Sequence, residues 1–298
     1  GGRVTYANLS GAALDAPAAI IASVALLQGK RNETEFLPSF SVTYLPNDKL
    51  TVFGKYQESF RPGGIVVRND LIQRYQNDQV SAFELGLRFG GRRRLGLDGS
   101  LSITRTRWRN IQADLIDATG LPATSNIGTG RIWAIDGVFG WRPVQGLRIE
   151  ASGVFADSRL TNPAPTLLLL RSGSNITPKP GVTVINSNDL PNVARFNGRL
   201  SADYFTRRAG GFELSLSGWL RYVGRSRLGI GPVLGIPQGD YLDTSLGLRL
   251  SRERYGFYLN ATNLFDTIGN RFAFGSPFTL PYKGQITPQR PRTIRLGM

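Results

Sequence analysis

Histidine and cysteine are both absent from this chain, and its one methionine is Met298. Without them no Ser-His or Cys-His nucleophile, no disulfide and no His/Cys zinc or copper centre can be built. Carboxylate-only chemistry stays open, but no Asp or Glu pair is fixed by its spacing. The chain therefore reads as a non-enzyme with no cofactor and no metal site. Long hydrophobic runs are missing too. No stretch reaches the roughly 18 apolar residues of a membrane-spanning helix. That excludes helical membrane proteins and leaves membrane-spanning strands untouched. Lys and Arg (36) outnumber Asp and Glu (21) to give a net charge of +15. Yet the basic residues are scattered, and no block of them alternates with aromatics as a nucleic-acid surface would require. The one dense run, Arg92-Arg93-Arg94, falls in a short turn.

Glycine (36 residues) and aromatics (16 Phe, 10 Tyr, 4 Trp) are plentiful. This balance suits many strands and turns better than helices. In "ARFNGRLSADYF" (194–205), Ala194, Phe196, Gly198, Leu200, Ala202 and Tyr204 share one side, and Arg195, Asn197, Arg199, Ser201 and Asp203 share the other. Period-two alternation of this kind predicts a β-strand. "SAFELGLRF" sets Phe83, Leu85, Leu87 and Phe89 against Glu84 and Arg88. "FELSLSGWLRY" sets Phe212, Leu214, Leu216, Leu220 and Tyr222 against Glu213, Ser215, Ser217 and Arg221. "YLDTSLGLRL" sets Leu242, Leu246, Leu248 and Leu250 against Asp243, Ser245 and Arg249. "LTVFGKYQESF" is less clean, with Phe53 on the polar side. About twelve such strands of about 9 to 13 residues are expected, longer than the globular norm and long enough to cross a bilayer when tilted.

Connections alternate in length. Short ones lie at 46–49, 90–96, 142–146, 206–211 and 251–256; long ones lie near 10–33, 61–79, 161–191, 225–239 and 265–289, with an intermediate one near 118–127. Up-and-down outer-membrane barrels sort tight periplasmic turns from long extracellular loops in this way. A sandwich has no reason to do so. Trp133 and Trp141 share a face in "RIWAIDGVFGW", about 26 Å apart along a strand and about 20 Å apart once tilt is allowed for. That spacing suits two aromatic girdles bounding a lipid-facing band. The expected fold is all-β, an antiparallel up-and-down transmembrane β-barrel whose apolar strand faces meet lipid. The apolar segment 16–27 is expected to form a loop or short helix. An exported chain would then have lost its beginning.

At the C-terminal end, "YLNATNLFDTIGNRF" (258–272) followed by "QITPQRPRTIRLGM" (285–298) resembles the close of a TonB-dependent outer-membrane receptor, with "NLFD" ending one strand and "PRT" opening the last. "FLPSFSVTYLPNDKLTVFGKYQESFRPGGI" (36–65) and "FELGLRF" (83–89) resemble earlier stretches of the same family. The resemblance implies a barrel of about 22 strands around an N-terminal plug. It also implies import of a scarce nutrient such as a ferric siderophore, energised through TonB. With about twelve strands and no plug, residues 1–298 would form one barrel domain, the C-terminal half of such a receptor. Met298 stands where the family usually ends on an aromatic, although Ile294, Leu296 and Met298 keep the outward parity.

Candidate residues follow from strand parity and loop position. Lys55, Glu84, Arg88, Arg148, Glu150, Arg195, Arg199, Asp203, Glu213, Arg221, Asp243 and Arg249 should face the lumen, where the resemblance implies contact with a plug. A mutually paired polar wall is the plainer alternative. Arg61, Arg68, Arg74, Arg225, Arg227 and Arg271 fall in the expected extracellular loops, where they could steer an anionic ligand. In "LSITRTRWRN" strict alternation turns Arg105, Arg107 and Arg109 outward, toward lipopolysaccharide phosphates, unless a bulge flips the register. Arg142, Arg207 and Arg208 could meet anionic head groups at the short turns. The expected partners are thus outer-membrane lipid and lipopolysaccharide, a plug, TonB and a small anionic ligand, at the bacterial outer membrane. Two other functions stay open: a self-contained passive pore or translocator barrel, and a soluble carbohydrate-binding β domain.

Overall fold

Every alternating segment forms a strand, and the strands pair in chain order. In this computed structural model residues 33–68, 71–90, 96–116, 122–164, 188–208, 210–230, 235, 237–273 and 286–298 are described. A first hairpin, β1 (Ser39–Asn47) and β2 (Leu50–Arg61), is followed by a small loop hairpin, β3 (Gly64–Arg68) and β4 (Leu71–Tyr75). The unit then repeats. Next come β5 (Asp78–Phe89) and β6 (Gly96–Arg109) with the loop hairpin β7 (Gln112–Ile116) and β8 (Pro122–Asn126). The long pair β9 (Gly128–Arg142) and β10 (Leu147–Pro163) leads to β11 (Phe196–Arg207) and β12 (Phe212–Val223), capped by β13 (Ser226–Arg227) and β14 (Pro237–Gln238). Finally β15 (Tyr241–Arg252) and β16 (Tyr255–Thr262) precede β17 (Asn270–Ala273), β18 (Ile286–Pro288) and the last strand, β19 (Thr293–Gly297).

Eleven of these strands form one antiparallel sheet in the order β1-β2-β5-β6-β9-β10-β11-β12-β15-β16-β19. That is one fewer than the dozen expected, and the segment before residue 33 that supplied the other lies outside the described residues, as do 16–27 and the Arg92–Arg94 turn. Up-and-down order follows from local pairing, since each short turn folds a strand directly onto its predecessor. Gly146 shows why one such turn is fixed. Its φ of 85° is costly for other residues, and a Cβ there would lie 2.1 Å from the Phe205 carbonyl oxygen.

β6, β9 and β10 run to 14, 15 and 17 residues, beyond the expected length. Their long-loop ends flank the one hydrophobic cluster among the described residues, whose buried members come mostly from the adjoining loops. Ile111, Ile127, Leu160, Leu190 and Ile230 are buried there, with Trp108, Ala113, Ile132 and Val193 packed around them. Gly130 admits this close packing, because a Cβ would meet Ile111 Cδ1 at 2.9 Å. The cluster sits at the long-loop end, where it ties loops to strand ends. It is not a core sandwiched between sheets.

Elsewhere the sheet has two open faces. On one, Phe83, Leu101, Ile135, Phe139, Leu200, Leu246 and Phe257 are exposed, Leu200 by 51%. An uncovered apolar surface of this extent does not survive in water. A solvent of hydrocarbon explains it. The register of β6 against both neighbours is continuous from Gly99 to Trp108, so no bulge rescues Arg105, Arg107 and Arg109 from that face. Phe53 falls on the polar face as its parity requires, and Arg88 stacks 5.1 Å from its ring centroid.

Candidate functional site

Polar side chains from seven strands converge because opposed residues in an antiparallel ladder share a face. One row crosses the sheet as Thr51, Arg88, Ser100, Val138, Ser152, Arg199, Arg221 and Asp243. Arg88, Arg199, Arg221 and Asp243, separated by up to 155 positions in the chain, are thereby brought into one line. Lys55 stands directly opposite Glu84. Arg148 donates to Glu150 at 2.8 Å and lies 3.7 Å from Asp98, and its ladder partner is Asp203. Arg199 is held 4.7 Å from the centroid of Trp219, whose polar-face position alternation also gives. Glu213 accepts from Arg207 Nε at 2.9 Å, and Arg249 sits opposite Ser215 and Tyr258. Part of this face is paired in this way, and Lys55, Arg88, Arg195, Arg199, Arg221 and Arg249 are its exposed cations.

The wall ends in a cleft of about 290 Å³ at the long-loop end. Arg195 enters it from the lead-in to β11, and Arg225 and Arg227 enter from the loop after β12, beside Asp157, Arg159 and Asp189. Arg225 donates to Asp240 at 2.6 Å, and the Tyr222 hydroxyl donates to the other oxygen of that carboxylate at 2.9 Å. The guanidinium, and then the hydroxyl, hold Asp240 below its ordinary value, while Asp240 raises Arg225. Arg227 donates to the Gly235 carbonyl at 3.0 Å. Arg195 has no ion-pair partner among the described residues.

The other loop arginines do not join this cleft. Arg61 turns inward to Asp78, whose side chain is 3% exposed, at 2.6 Å, and to the Gln112 carbonyl at 2.8 Å. It ties two loops together, a role that sequence position could not reveal. Arg74 is exposed in β4 opposite Ile65, and Arg271 is exposed in β17. Arg68 pairs with Leu71 through the backbone, and its side chain lies outside the described residues. At the opposite end Arg142 is taken by Asp98 and Arg207 by Glu213, which leaves Arg208 as the one of the three with no ion pair among the described residues. Trp133 and Trp141 lie on the apolar face, 39% and 44% exposed.

Strand alternation does not reveal Asn263, although it opens the "NLFD" motif. Its φ is 49° and it is 2% exposed. Its amide donates to Thr267 O at 3.1 Å and to Arg290 O at 2.8 Å, and its oxygen accepts from Thr267 N at 3.0 Å. Asp266, with φ 52°, accepts from Arg292 N at 3.0 Å. "NLFD" is thus a clamp that sets the lead-in to the last strand.

An open sheet with one lipid-facing side, one charged side and long loops at one end defines the wall of an outer-membrane β-barrel. The family model "TonB dependent receptor-like, beta-barrel" matches residues 1–264, and the chain belongs to that family. The family is one of transport receptors, and its barrels sit in the outer membrane. Among solved structures, the ferric yersiniabactin uptake receptor FyuA from Yersinia pestis aligns with TM-score 0.64 and 17% identity, over 89% of this chain and 37% of that one. The siderophore receptor PiuA from Acinetobacter baumannii aligns with TM-score 0.60 and 18% identity, over 87% and 34%. FpvA from P. aeruginosa, solved with iron and heterologous pyoverdines, gives 0.60 and 15%, over 91% and 33%. The chain thus spans about a third of the length of these receptors. With the family shown, a soluble carbohydrate-binding domain is excluded.

Proposed function

We propose that this chain is part of the barrel wall of a TonB-dependent receptor that imports a metal chelated by an anionic small molecule, of which a ferric siderophore is the fitting class. The supporting observation is the arginine path from the cleft of Arg195, Arg225 and Arg227 down the polar face through Arg199 and Arg221. Cationic clefts bounded by low-dielectric walls concentrate anions. A naked soft metal suits the chain less well, since it has no His or Cys and one Met. In this proposal the eleven strands are half of a barrel of about 22. A plug packs against the polar wall, TonB supplies the energy, and Trp133 and Trp141 mark the two membrane interfaces.

Sheet edges support the partial-barrel form over a self-contained pore. β1 and β19 stand at the two ends of the strand order, and lipid tolerates no unpaired edge. The test is growth of a strain deleted for the intact receptor gene under iron starvation, fed single radiolabelled ferric siderophores of the hydroxamate, catecholate and carboxylate classes. Loss of uptake of one class, restored by the gene and reduced by R195Q/R227Q, is expected. Unchanged uptake of every class would overturn the assignment.

A further inference from the structure

The apolar face stays apolar from the short turns up to the row Leu85, Ile103, Ile135 and Phe155. One step closer to the long loops it changes. Tyr56, Phe83, Arg105, Trp133 and Asp157 stand side by side, followed by Glu58, Ser81, Arg107, Arg131 and Arg159, with Arg109 beyond them opposite Gln79. Arg107, Arg131 and Arg159 therefore occupy directly opposed positions on three adjacent strands. Strands lie about 4.8 Å apart, and like charges directly opposite one another destabilise a sheet.

Few carboxylates relieve the repulsion. Asp157 reaches Arg159 at 3.4 Å, and Glu58 accepts from the Tyr56 hydroxyl. Arg107, Arg109 and Arg131 are exposed and have no ion pair among the described residues. Arg105 is fixed 5.3 Å from the centroid of Trp133. The height is specific as well. Arg105 lies eight residues above Leu97, about 20 Å along the bilayer normal for a strand tilted by about 40°. The guanidiniums thus begin level with Trp133, at the long-loop end of the apolar face.

We propose that this outward arginine cluster binds the phosphate groups of the outer leaflet's phosphorylated glycolipid, lipid A. Bidentate guanidinium–phosphate pairs neutralise the opposed cations, and acyl chains continue down the apolar face below. The site lies, at Arg107 and Arg131, on the side of the sheet opposite Arg199 and Arg221 of the proposed ligand path, while Arg159 also lines the cleft. It rests on the outer-membrane placement of the family and not on the identity of the imported chelate.

The test is native mass spectrometry of the intact detergent-purified receptor with three probes: bisphosphorylated lipid A, lipid A stripped of both phosphates, and inorganic phosphate. The bisphosphorylated form should bind, and R107Q/R131Q should weaken it by about tenfold or more, the scale of one lost charged hydrogen bond. R107K/R131K should fall between the two, and the loop control R74Q should bind as wild type. Equal binding of the stripped lipid to the wild-type protein overturns the proposal, and so does full competition by inorganic phosphate at equal concentration. Wild-type lipid A binding by the glutamine variant overturns it too. Chelate uptake by that variant should stay at the wild-type rate; failure of uptake with lipid A binding intact would instead count against the import assignment.

Discussion

Asp78 is the most buried carboxylate among the described residues. It is 2% exposed and answers both Arg61 and the Gln112 backbone N–H, joining the loop after β2 to the loop after β6. Replacing it with alanine leaves a backbone donor buried without a partner. We expect a loss of about 1–3 kcal/mol, at the lower end because Arg61 is half exposed. The check is the urea midpoint of the intact receptor in vesicles; an unchanged midpoint would show the network to be ornamental. Asp240 gives a pH prediction. Its folded-state value is depressed, so its pairing with Arg225 is present above the ordinary carboxylate range and disappears only as pH falls through the depressed value. Ligand affinity should therefore be flat from neutral to mildly acidic pH in wild type, whereas R225A should move the carboxyl back toward 3.8, readable by carboxyl NMR.

Elements are fixed by their connections as much as by their alternation. The β15–β16 hairpin closes through two residues with Glu253 at φ 51°, while the step into β19 depends on the Asn263–Asp266 clamp. β19 is five residues long, so its ladder against β16 contributes little by itself and the clamp sets its register. N263A removes four side-chain hydrogen bonds at a buried residue and keeps an unfavourable backbone conformation. A cost of about 2–4 kcal/mol is expected. Selective loss of hydrogen-exchange protection across β19 would confirm it, and uniform protection would refute it.

At the scale of the whole molecule the question is which solvent each face meets. Arginine at the bilayer midplane of a barrel's lipid face costs about 2–4 kcal/mol. L200R should cost that much in the intact receptor, while R199L, one residue away on the other face, should cost far less. Brominated lipids give an independent measure. Trp133 and Trp141 should be quenched by shallow bromines, whereas Trp219, on the polar face beside Arg199, should be spared.

The amino-acid sequence alone determined the strand faces, because a period of two survives any arrangement of the strands. It determined the sorting of short turns from long loops, and it ruled out His and Cys chemistry through composition. It also marked Phe53 as polar-facing against its own hydrophobicity. Only the tertiary structure decided which residues share a row, since register depends on where each turn begins and cannot be read from one strand. That register lined up Arg88 with Arg221 and set Arg107, Arg131 and Arg159 in opposition. It excluded the bulge in β6 that alternation had left open. It also took Arg61 out of the ligand set, because a partner 17 residues away, Asp78, is buried within its reach. Alternation is a property of neighbours along the chain, whereas charge pairing is a property of neighbours in space.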